Sequence, residues 1–192
     1  MSKDDFWIWF EQNKTALEEF MSQKRRDYAI YESLSEKLKL FNEFLIPEMT
    51  LDREGHFILI ISCDGMRQGI PFVEKLTQGI KEYSNWIIVK YRQPGPMTVI
   101  PLNGLNLQRK SIYLTWVKMP DNKYDLTFYV RGYSPDNRNY EIATLLHMDH
   151  TIGEFNAMTR ISGVKINKLG LFQSKKDLKN LDDLMEVINS PL

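Results

Sequence analysis

The sequence predicts an α+β protein in which helices near the two ends of the chain accompany a mostly antiparallel sheet of about four to six strands. Apolar residues recur with helical spacing near both termini, short β-branched runs lie between them, and a polar turn joins two runs of strand-forming residues. Helices that flank such a sheet pack mainly on one face of it. We therefore expect two layers, preceded by an N-terminal helical hairpin.

The helical hairpin is predicted from two apolar stripes in residues 1–47. The first stripe consists of Phe6, Phe10, Leu17, Phe20 and Met21, widened by Trp7 and Trp9. The second stripe consists of Tyr31, Leu34, Leu38, Phe41 and Leu45. Pro47 must stop or kink the second helix. The basic residues between the stripes, Lys24, Arg25 and Arg26, are diluted by Asp27 and predict a solvated helix junction.

A strand, a helix and a second strand follow the hairpin. The run "FILIISC", residues 57–63, is apolar and too short for a typical helix, which favours a buried central strand. The dipeptide "DG" then turns the chain. Pro71 suits the first turn of a helix over residues 71–83. The run "WIIVKY", residues 86–91, predicts a second central strand beside the first.

The second half of the chain predicts a β-hairpin, then helices. The turn "PDNK" joins two strand-forming runs, so residues 111–133 predict a hairpin that extends the same sheet. Helical spacing returns through Leu145 and Leu146. The segment 154–166 fits either a short helix followed by a strand or one bulged strand. A closing amphipathic helix with Ser174 as its N-cap ends the chain.

The length of 192 residues predicts a single domain, with the hairpin at 1–47, an α+β core at 48–170 and a C-terminal helix at 171–192. The 25 basic and 25 acidic residues cancel, which argues against nucleic acid as a partner. The lone Cys63 suits a reducing compartment. The acidic start and the lack of an apolar run of roughly 18 residues predict no membrane span. We expect a cytoplasmic protein.

Three stretches carry a resemblance to a known family: "ISCDGMRQGIPFVEKL", "NWIIVKYRQP" and "LLHMDHTIGE". They resemble a bacterial family of unknown function with the motifs S-x-D-G, W-x-[IV]-x-[KA]-[FY]-[RK]-x-P and L-L-D-x-x-[IL]-G-E. The matching residues are Ser62, Asp64, Gly65, Trp86, Tyr91, Arg92, Pro94, Asp149, Gly153 and Glu154. This chain departs from the third motif, since it reads "LLHMD" before the glycine. The resemblance implies a bacterial source and supplies no reaction.

Four polar residues at the ends of predicted elements are the candidate ligand-binding residues: Asp64, Arg92, Asp149 and Glu154. Each also has a structural interpretation. Asp64 belongs to a turn dipeptide, Arg92 can pair with Asp64 if their strands are neighbours, and Asp149 or Glu154 can bind backbone N–H groups where a helix ends at Gly153. These structural interpretations are the ones that the residue types favour.

The histidines of "LLHMDHTIGE" raise the question of a metal site. On a continuous helix His147, His150 and Glu154 share one face, which suits zinc. Gly153 favours a helix end, which moves Glu154 off that face. We therefore expect no metal and no cofactor. Cys63, among apolar strand neighbours, is interpreted as a buried thiol rather than a nucleophile.

Two functions remain open, and with them the question of whether the protein is an enzyme. The first is a non-catalytic protein-interaction or regulatory module, for example one of the immunity type. Such a module would bind a protein partner or a second copy of the chain through the N-terminal aromatic helix "FWIWF". The second is a small hydrolase or transferase with a polar pocket built from Asp64, Arg92, Asp149 and Glu154. No P-loop, dinucleotide fingerprint, nucleophile elbow or H-E-x-x-H motif occurs, which favours the first.

Overall fold

The structure, a computed structural model, describes residues 1–23, 28–95, 97–170, 174 and 176–189. It confirms the α+β class, with helices at both ends of the chain and mostly antiparallel strands between them. The chain divides into two compact units, residues 1–92 and residues 93–192. The single domain expected from the chain length stays a prediction. The junction predicted at Lys24, Arg25 and Arg26 lies outside the described residues.

The described residues of unit 1 form a helical hairpin, a three-stranded sheet and one further α-helix. Its elements in chain order are α1 (Lys3–Ser22), α2 (Ala29–Phe41), β1 (Ile46–Leu51), β2 (Phe57–Ser62), α3 (Ile70–Thr77) and β3 (Trp86–Lys90). The central strand β2 pairs antiparallel with β1 and parallel with β3. The two strands predicted at 57–63 and 86–91 are therefore neighbours, as expected, but β3 is an edge strand rather than a central one.

The helical hairpin is confirmed in α1 and α2, with a correction at its end. Ser2 opens α1 with a capping box: its hydroxyl accepts the N–H of Asp5, whose carboxylate accepts the N–H of Ser2. α2 ends at Phe41, and Leu45, which the apolar spacing placed on the second helix, instead precedes strand β1. Pro47 lies inside this strand. An edge strand tolerates proline because the missing N–H can face away from the ladder.

The core of unit 1 is largely aromatic on the α1 side. Phe6 and Phe10 are fully buried, as are Leu17, Leu34 and Leu38. The ring of Phe10 meets Trp86 of β3 edge to face, with 5.1 Å between the ring centroids. α3 begins with Pro71 in its first turn as expected, but it ends at Thr77, well short of residue 83, and Gly79 beyond it has a φ of +60°.

The described residues of unit 2 form two small sheets and three α-helices. Its elements in chain order are β4 (Val99–Leu102), β5 (Leu105–Gln108), β6 (Ile112–Lys118), β7 (Tyr124–Val130), α4 (Asn139–Ile152), α5 (Glu154–Arg160), β8 (Ile161–Lys168) and α6 (Leu181–Asn189). β4 and β5 form one antiparallel pair. β7 is the central strand of the other sheet, antiparallel to β6 and parallel to β8.

The predicted hairpin over 111–133 exists as β6 and β7, but the expectation that it extends the sheet of β2 and β3 is wrong. It forms its own sheet with β8, so the strands of the described residues are spread over three small sheets. Alternate residues of β7 are buried, namely Tyr124, Leu126, Phe128 and Val130. This pattern identifies the buried face of a strand without identifying its neighbour, which is why the sequence misassigned the sheet.

Three segments of unit 2 are resolved or corrected relative to the sequence prediction: residues 154–166, the start of α6 and the β4–β5 hairpin. The segment 154–166 is a short helix, α5, followed by strand β8. The N-cap of α6 is Asn180 rather than Ser174: Asn180 Oδ1 accepts the N–H groups of Asp182 and Asp183 at 2.7 and 3.1 Å. The hairpin of β4 and β5 was missed. Its turn is Asn103–Gly104, both with positive φ, which is a strong hairpin signal in the sequence.

Candidate functional site

Two of the four candidate residues, Asp64 and Arg92, meet in unit 1. The parallel strands β2 and β3 bring them together, because both residues follow the carboxyl end of a strand. Arg92 Nη2 lies 2.5 Å from Asp64 Oδ1 and 3.4 Å from Ser62 Oγ, and Arg92 Nε lies 2.6 Å from Glu48 Oε1. The ion pair that the sequence suggested is confirmed.

This ion-pair cluster, Glu48, Asp64 and Arg92, has more negative than positive charge. The guanidinium side chain is only 13% exposed, whereas Asp64 is 67% exposed. An anionic ligand would have to compete with two carboxylates for one guanidinium, which is unfavourable for anion binding. Glu48 was missed by sequence reasoning because it lies on β1, which was not recognised as a strand.

The Asp64–Gly65 dipeptide is a turn, as its residue types predicted. Asp64 has a φ of 49° and Gly65 a φ of 75°, and the N–H of Met66 donates to the carbonyl of Cys63 at 2.8 Å. Aspartate and glycine tolerate this left-handed region better than most residues. Cys63 is fully buried, in agreement with its interpretation as a structural thiol.

The other two candidates, Asp149 and Glu154, lie in unit 2 on either side of a helix break. Gly153, with φ 81° and ψ 150°, ends α4 and precedes α5, so the predicted helix end at this glycine is confirmed. Its N–H donates to the Asp149 carbonyl at 2.8 Å. Glu154 is fully buried at the start of α5. The pocket predicted from Asp64, Arg92, Asp149 and Glu154 draws two residues from each unit and stays a prediction.

The two histidines of α4 differ in burial, since His147 is buried and His150 is partly exposed. His147 is fully buried, and its Nε2 lies 3.0 Å from the carbonyl oxygen of Leu107 on β5. Its Nδ1 has no hydrogen-bond partner among the described residues. Burial lowers the pKa of His147, because the charged imidazolium would lose its hydration. A neutral ring that donates from Nε2 to Leu107 fits this environment and ties α4 to β5.

The described residues contain one cluster with metal-ligating side chains, Asp52, Glu54 and His56, whose ligand atoms lie within 4.8 Å of one another. Its contacts close the turn between β1 and β2. Asp52 Oδ1 accepts the N–H groups of Glu54 and His56, each at 2.8 Å, and Asp52 Oδ2 lies 2.9 Å from His56 Nδ1. The hydrogen bond to Asp52 raises the pKa of His56. These contacts are those of a turn stabilised by aspartate.

A cavity of about 440 Å³, called here the aromatic groove, lies beside the N-terminal helix α1. Its apolar lining consists of Trp7, Ile8, Ile80 and Tyr83, and its charged lining of Lys3, Asp4, Glu11 and Lys81. Trp7 is half-buried, whereas Ile8 is 57% exposed. The Trp7 and Tyr83 rings lie 6.3 Å apart between centroids. The groove thus combines aromatic rings with charges of both signs.

Salt bridges organise the charged side of the aromatic groove. Lys81 Nζ lies 2.8 Å from Glu11 Oε2 and 5.1 Å from the centroid of the Tyr83 ring, while Lys14 Nζ lies 2.7 Å from Glu11 Oε1. Two lysines at hydrogen-bonding distance lower the pKa of Glu11. Aromatic anchors beside a polar border are the arrangement that protein interfaces favour.

Comparison of the chain with protein-family models, with curated proteins and with solved structures gives no match. The resemblance carried by the three sequence motifs therefore stays a prediction. Among the described residues, no helix has both the length and the apolar character that crossing a bilayer requires.

Proposed function

We propose that the protein is a non-catalytic interaction module that associates through the aromatic groove, and that the groove receives a second copy of the same chain. The observation that supports this proposal is the position of Ile8. This large apolar side chain is 57% exposed in the lining of the concave surface that it shares with Trp7 and Tyr83. A twofold interface places the same patch of both copies face to face, so an exposed apolar side chain in a concave apolar surface supplies area that is buried from both sides.

The charged residues of the aromatic groove also favour a second copy of the chain as its occupant. Lys3 and Lys81 are matched by Asp4 and Glu11, so two copies that face each other across a twofold axis carry no net repulsion at this surface. In that arrangement Ile8 of each copy packs against Trp7 and Tyr83 of the other. One helix face buries little area compared with a stable obligate dimer, so we expect a weak dimer with a dissociation constant in the micromolar range.

The enzyme alternative has less support. Arg92 is held by Glu48 and Asp64, and the guanidinium is nearly enclosed. Structural contacts therefore account for the two candidate residues of unit 1, and the sequence offers no motif that would assign them a reaction.

Sedimentation velocity over a concentration series from micromolar to submillimolar tests the proposal on the full chain. The wild-type protein should show a rising weight-average sedimentation coefficient that fits a monomer–dimer equilibrium. Ile8→Asp should stay monomeric throughout, because a charge would be buried in the interface. Its melting temperature should match that of the wild type, since exposed positions contribute little to stability.

Val117→Asp is the matched control. Val117 lies on β6 in unit 2, is 64% exposed and lies outside the aromatic groove, so this variant should self-associate like the wild type. A wild type that is monomeric at every concentration, or an Ile8→Asp variant that dimerises as the wild type does, would overturn the proposal.

A further inference from the structure

Two cavities bordered by described residues of unit 2 share an arginine. The larger, of about 630 Å³, is bordered by the β4–β5 hairpin, the start of β6 and the start of α6. The smaller, of about 420 Å³, is bordered by residues 94, 95, 97 and 98, by α4 and by α6. Arg109, together with Thr98 and Asp182, lines both. The volume of the larger cavity lies within the range of small-molecule binding sites.

Arg109 is fixed in place by contacts from distant parts of unit 2. Its Nη1 donates to Thr151 Oγ1 at 2.6 Å, and its Nη2 donates to Asp182 Oδ1 at 2.6 Å. The Thr151 hydroxyl is itself anchored, since it donates to the His147 carbonyl at 2.6 Å. The Arg109 backbone N–H donates to the Thr98 carbonyl at 2.9 Å. The guanidinium is therefore positioned before any ligand arrives, which lowers the entropic cost of binding.

Donor groups remain available on this fixed guanidinium. An arginine has five N–H donors, and the two contacts with Thr151 and Asp182 are the hydrogen bonds that its side chain makes within the described parts of the chain. The side chain is 22% exposed, so it reaches the cavity surface. A planar donor group of this kind suits a carboxylate or a phosphate, both of which can accept two parallel hydrogen bonds.

The remaining lining adds positive charge and apolar surface. Lys110 is exposed and lines the larger cavity. The charged residues of this lining are the two cations Arg109 and Lys110 and the one anion Asp182, so the lining carries a net positive charge. Val99, which is 38% exposed, and the partly exposed Tyr113 supply apolar surface. A ligand suited to this lining carries an anionic group at one end and an apolar body at the other.

We propose that the larger cavity binds a small organic anion, a carboxylate or a phosphate monoester with an apolar body, whose charged group is held by Arg109 and Lys110. Arg109 supplies directed hydrogen bonds, and Lys110 supplies a second charge that moves freely enough to meet ligands of different size. This site is independent of the aromatic groove, which lies wholly in unit 1.

Amide NMR titrations of the full chain test the site with three probes: benzoate, phenyl phosphate, and sodium chloride at the same ionic strength. We expect saturable shifts at residues 98–99, 108–113 and 180–182 with an organic anion and none that saturate with chloride. If only benzoate saturates the shifts, the ligand class is a carboxylate, and if only phenyl phosphate does, it is a phosphate monoester. If both saturate the shifts, the site recognises the anionic charge that the two probes share. The absence of saturable shifts with both organic anions would overturn the proposal.

Lys110→Met provides the decisive variant, with Lys118→Met as its matched control. Both lysines are exposed and flank or belong to β6, but Lys118 is not part of the cavity lining. Lys110→Met should raise the dissociation constant about tenfold, as expected for one charge-assisted hydrogen bond, and leave the melting temperature unchanged. Lys118→Met should bind as the wild type does. Equal affinities of the two variants would place the anion elsewhere and overturn the assignment.

Discussion

Trp7 Nε1 donates a 2.8 Å hydrogen bond to the main-chain carbonyl of Leu76. Leu76 lies in the last turn of α3, where carbonyl groups have no partner within the helix. The indole of the first helix therefore satisfies an orphan acceptor at the end of another helix of the same unit. The indole N–H, which needs an acceptor wherever it is removed from water, thus has one at the end of α3.

Replacement of Trp7 by Phe should lower the free energy of unfolding by about 1 kcal/mol, the usual contribution of one hydrogen bond. Phenylalanine retains most of the apolar contact but cannot donate to Leu76. Urea denaturation followed by circular dichroism measures the difference. An unchanged midpoint would mean that water replaces the indole at no cost.

Phe10→Ala should cost about 3–5 kcal/mol, because the ring is fully buried against Trp86 and Tyr83 and its removal leaves a cavity. Ile8→Ala on the same helix is the control. Ile8 is largely exposed, so this change should stay within about 0.5 kcal/mol of the wild type. Thermal and urea melts of both variants separate the two faces of α1, and similar losses would contradict the packing described here.

Arg92→Met should lower the free energy of unfolding by about 2 kcal/mol, since it leaves Glu48 and Asp64 without their common cation. Asp64→Asn should cost less than about 1 kcal/mol, because Asp64 is mostly exposed and Asn also tolerates a positive φ. Denaturant midpoints of the two variants test this asymmetry. A larger loss in Asp64→Asn would show that the turn, rather than the arginine, depends on the charge.

His147 and His56 should contribute to the stability of the fold with opposite dependences on pH. Burial lowers the pKa of His147, so its contribution to stability is fully present above the unfolded-state pKa of about 6.5 and is lost as the pH falls through the lowered folded-state value. The hydrogen bond to Asp52 raises the pKa of His56, so its contribution is fully present below about 6.5 and is lost as the pH rises through the raised folded-state value.

NMR titration of the imidazole protons should therefore place the midpoint of His56 above about 6.5 and that of His147 below it. Denaturation of His147→Gln across the acidic range should show a smaller loss of stability on acidification than the wild type, since Gln has no proton to gain. If the free energy of unfolding falls equally steeply with decreasing pH in His147→Gln and in the wild type, His147 is not a source of the acid sensitivity.

Gly153→Ala should destabilise the protein by about 1–3 kcal/mol, because φ 81° and ψ 150° lie in a region that is open essentially to glycine alone. Gly95→Ala is the matched control. A Cβ at Gly95 meets nothing within 4 Å and no positive φ is required there, so the change should be nearly neutral. Differential scanning calorimetry of the pair distinguishes backbone strain from a general effect of added methyl groups.

Local patterns predicted a large part of the fold. Helical spacing predicted α1 and α4, β-branched runs predicted β2 and β3, and the "PDNK" turn predicted the β6–β7 hairpin. The β4–β5 hairpin was missed although Asn103–Gly104 is a local turn signal. Of the ion-pair cluster, the sequence predicted the pairing of Asp64 with Arg92 but not Glu48, because Glu48 lies on a strand that the sequence did not reveal.

What the sequence by itself determined is what depends on neighbouring residues: the buried face of each element, the turn at Asp64–Gly65 and the end of α4 at Gly153. Only the tertiary structure decided which strands share a sheet and which side chains surround a charge. Arg109 meets Thr151 and Asp182, which are 42 and 73 residues away along the chain. Such contacts arise from long-range packing, and no periodicity of the sequence encodes them.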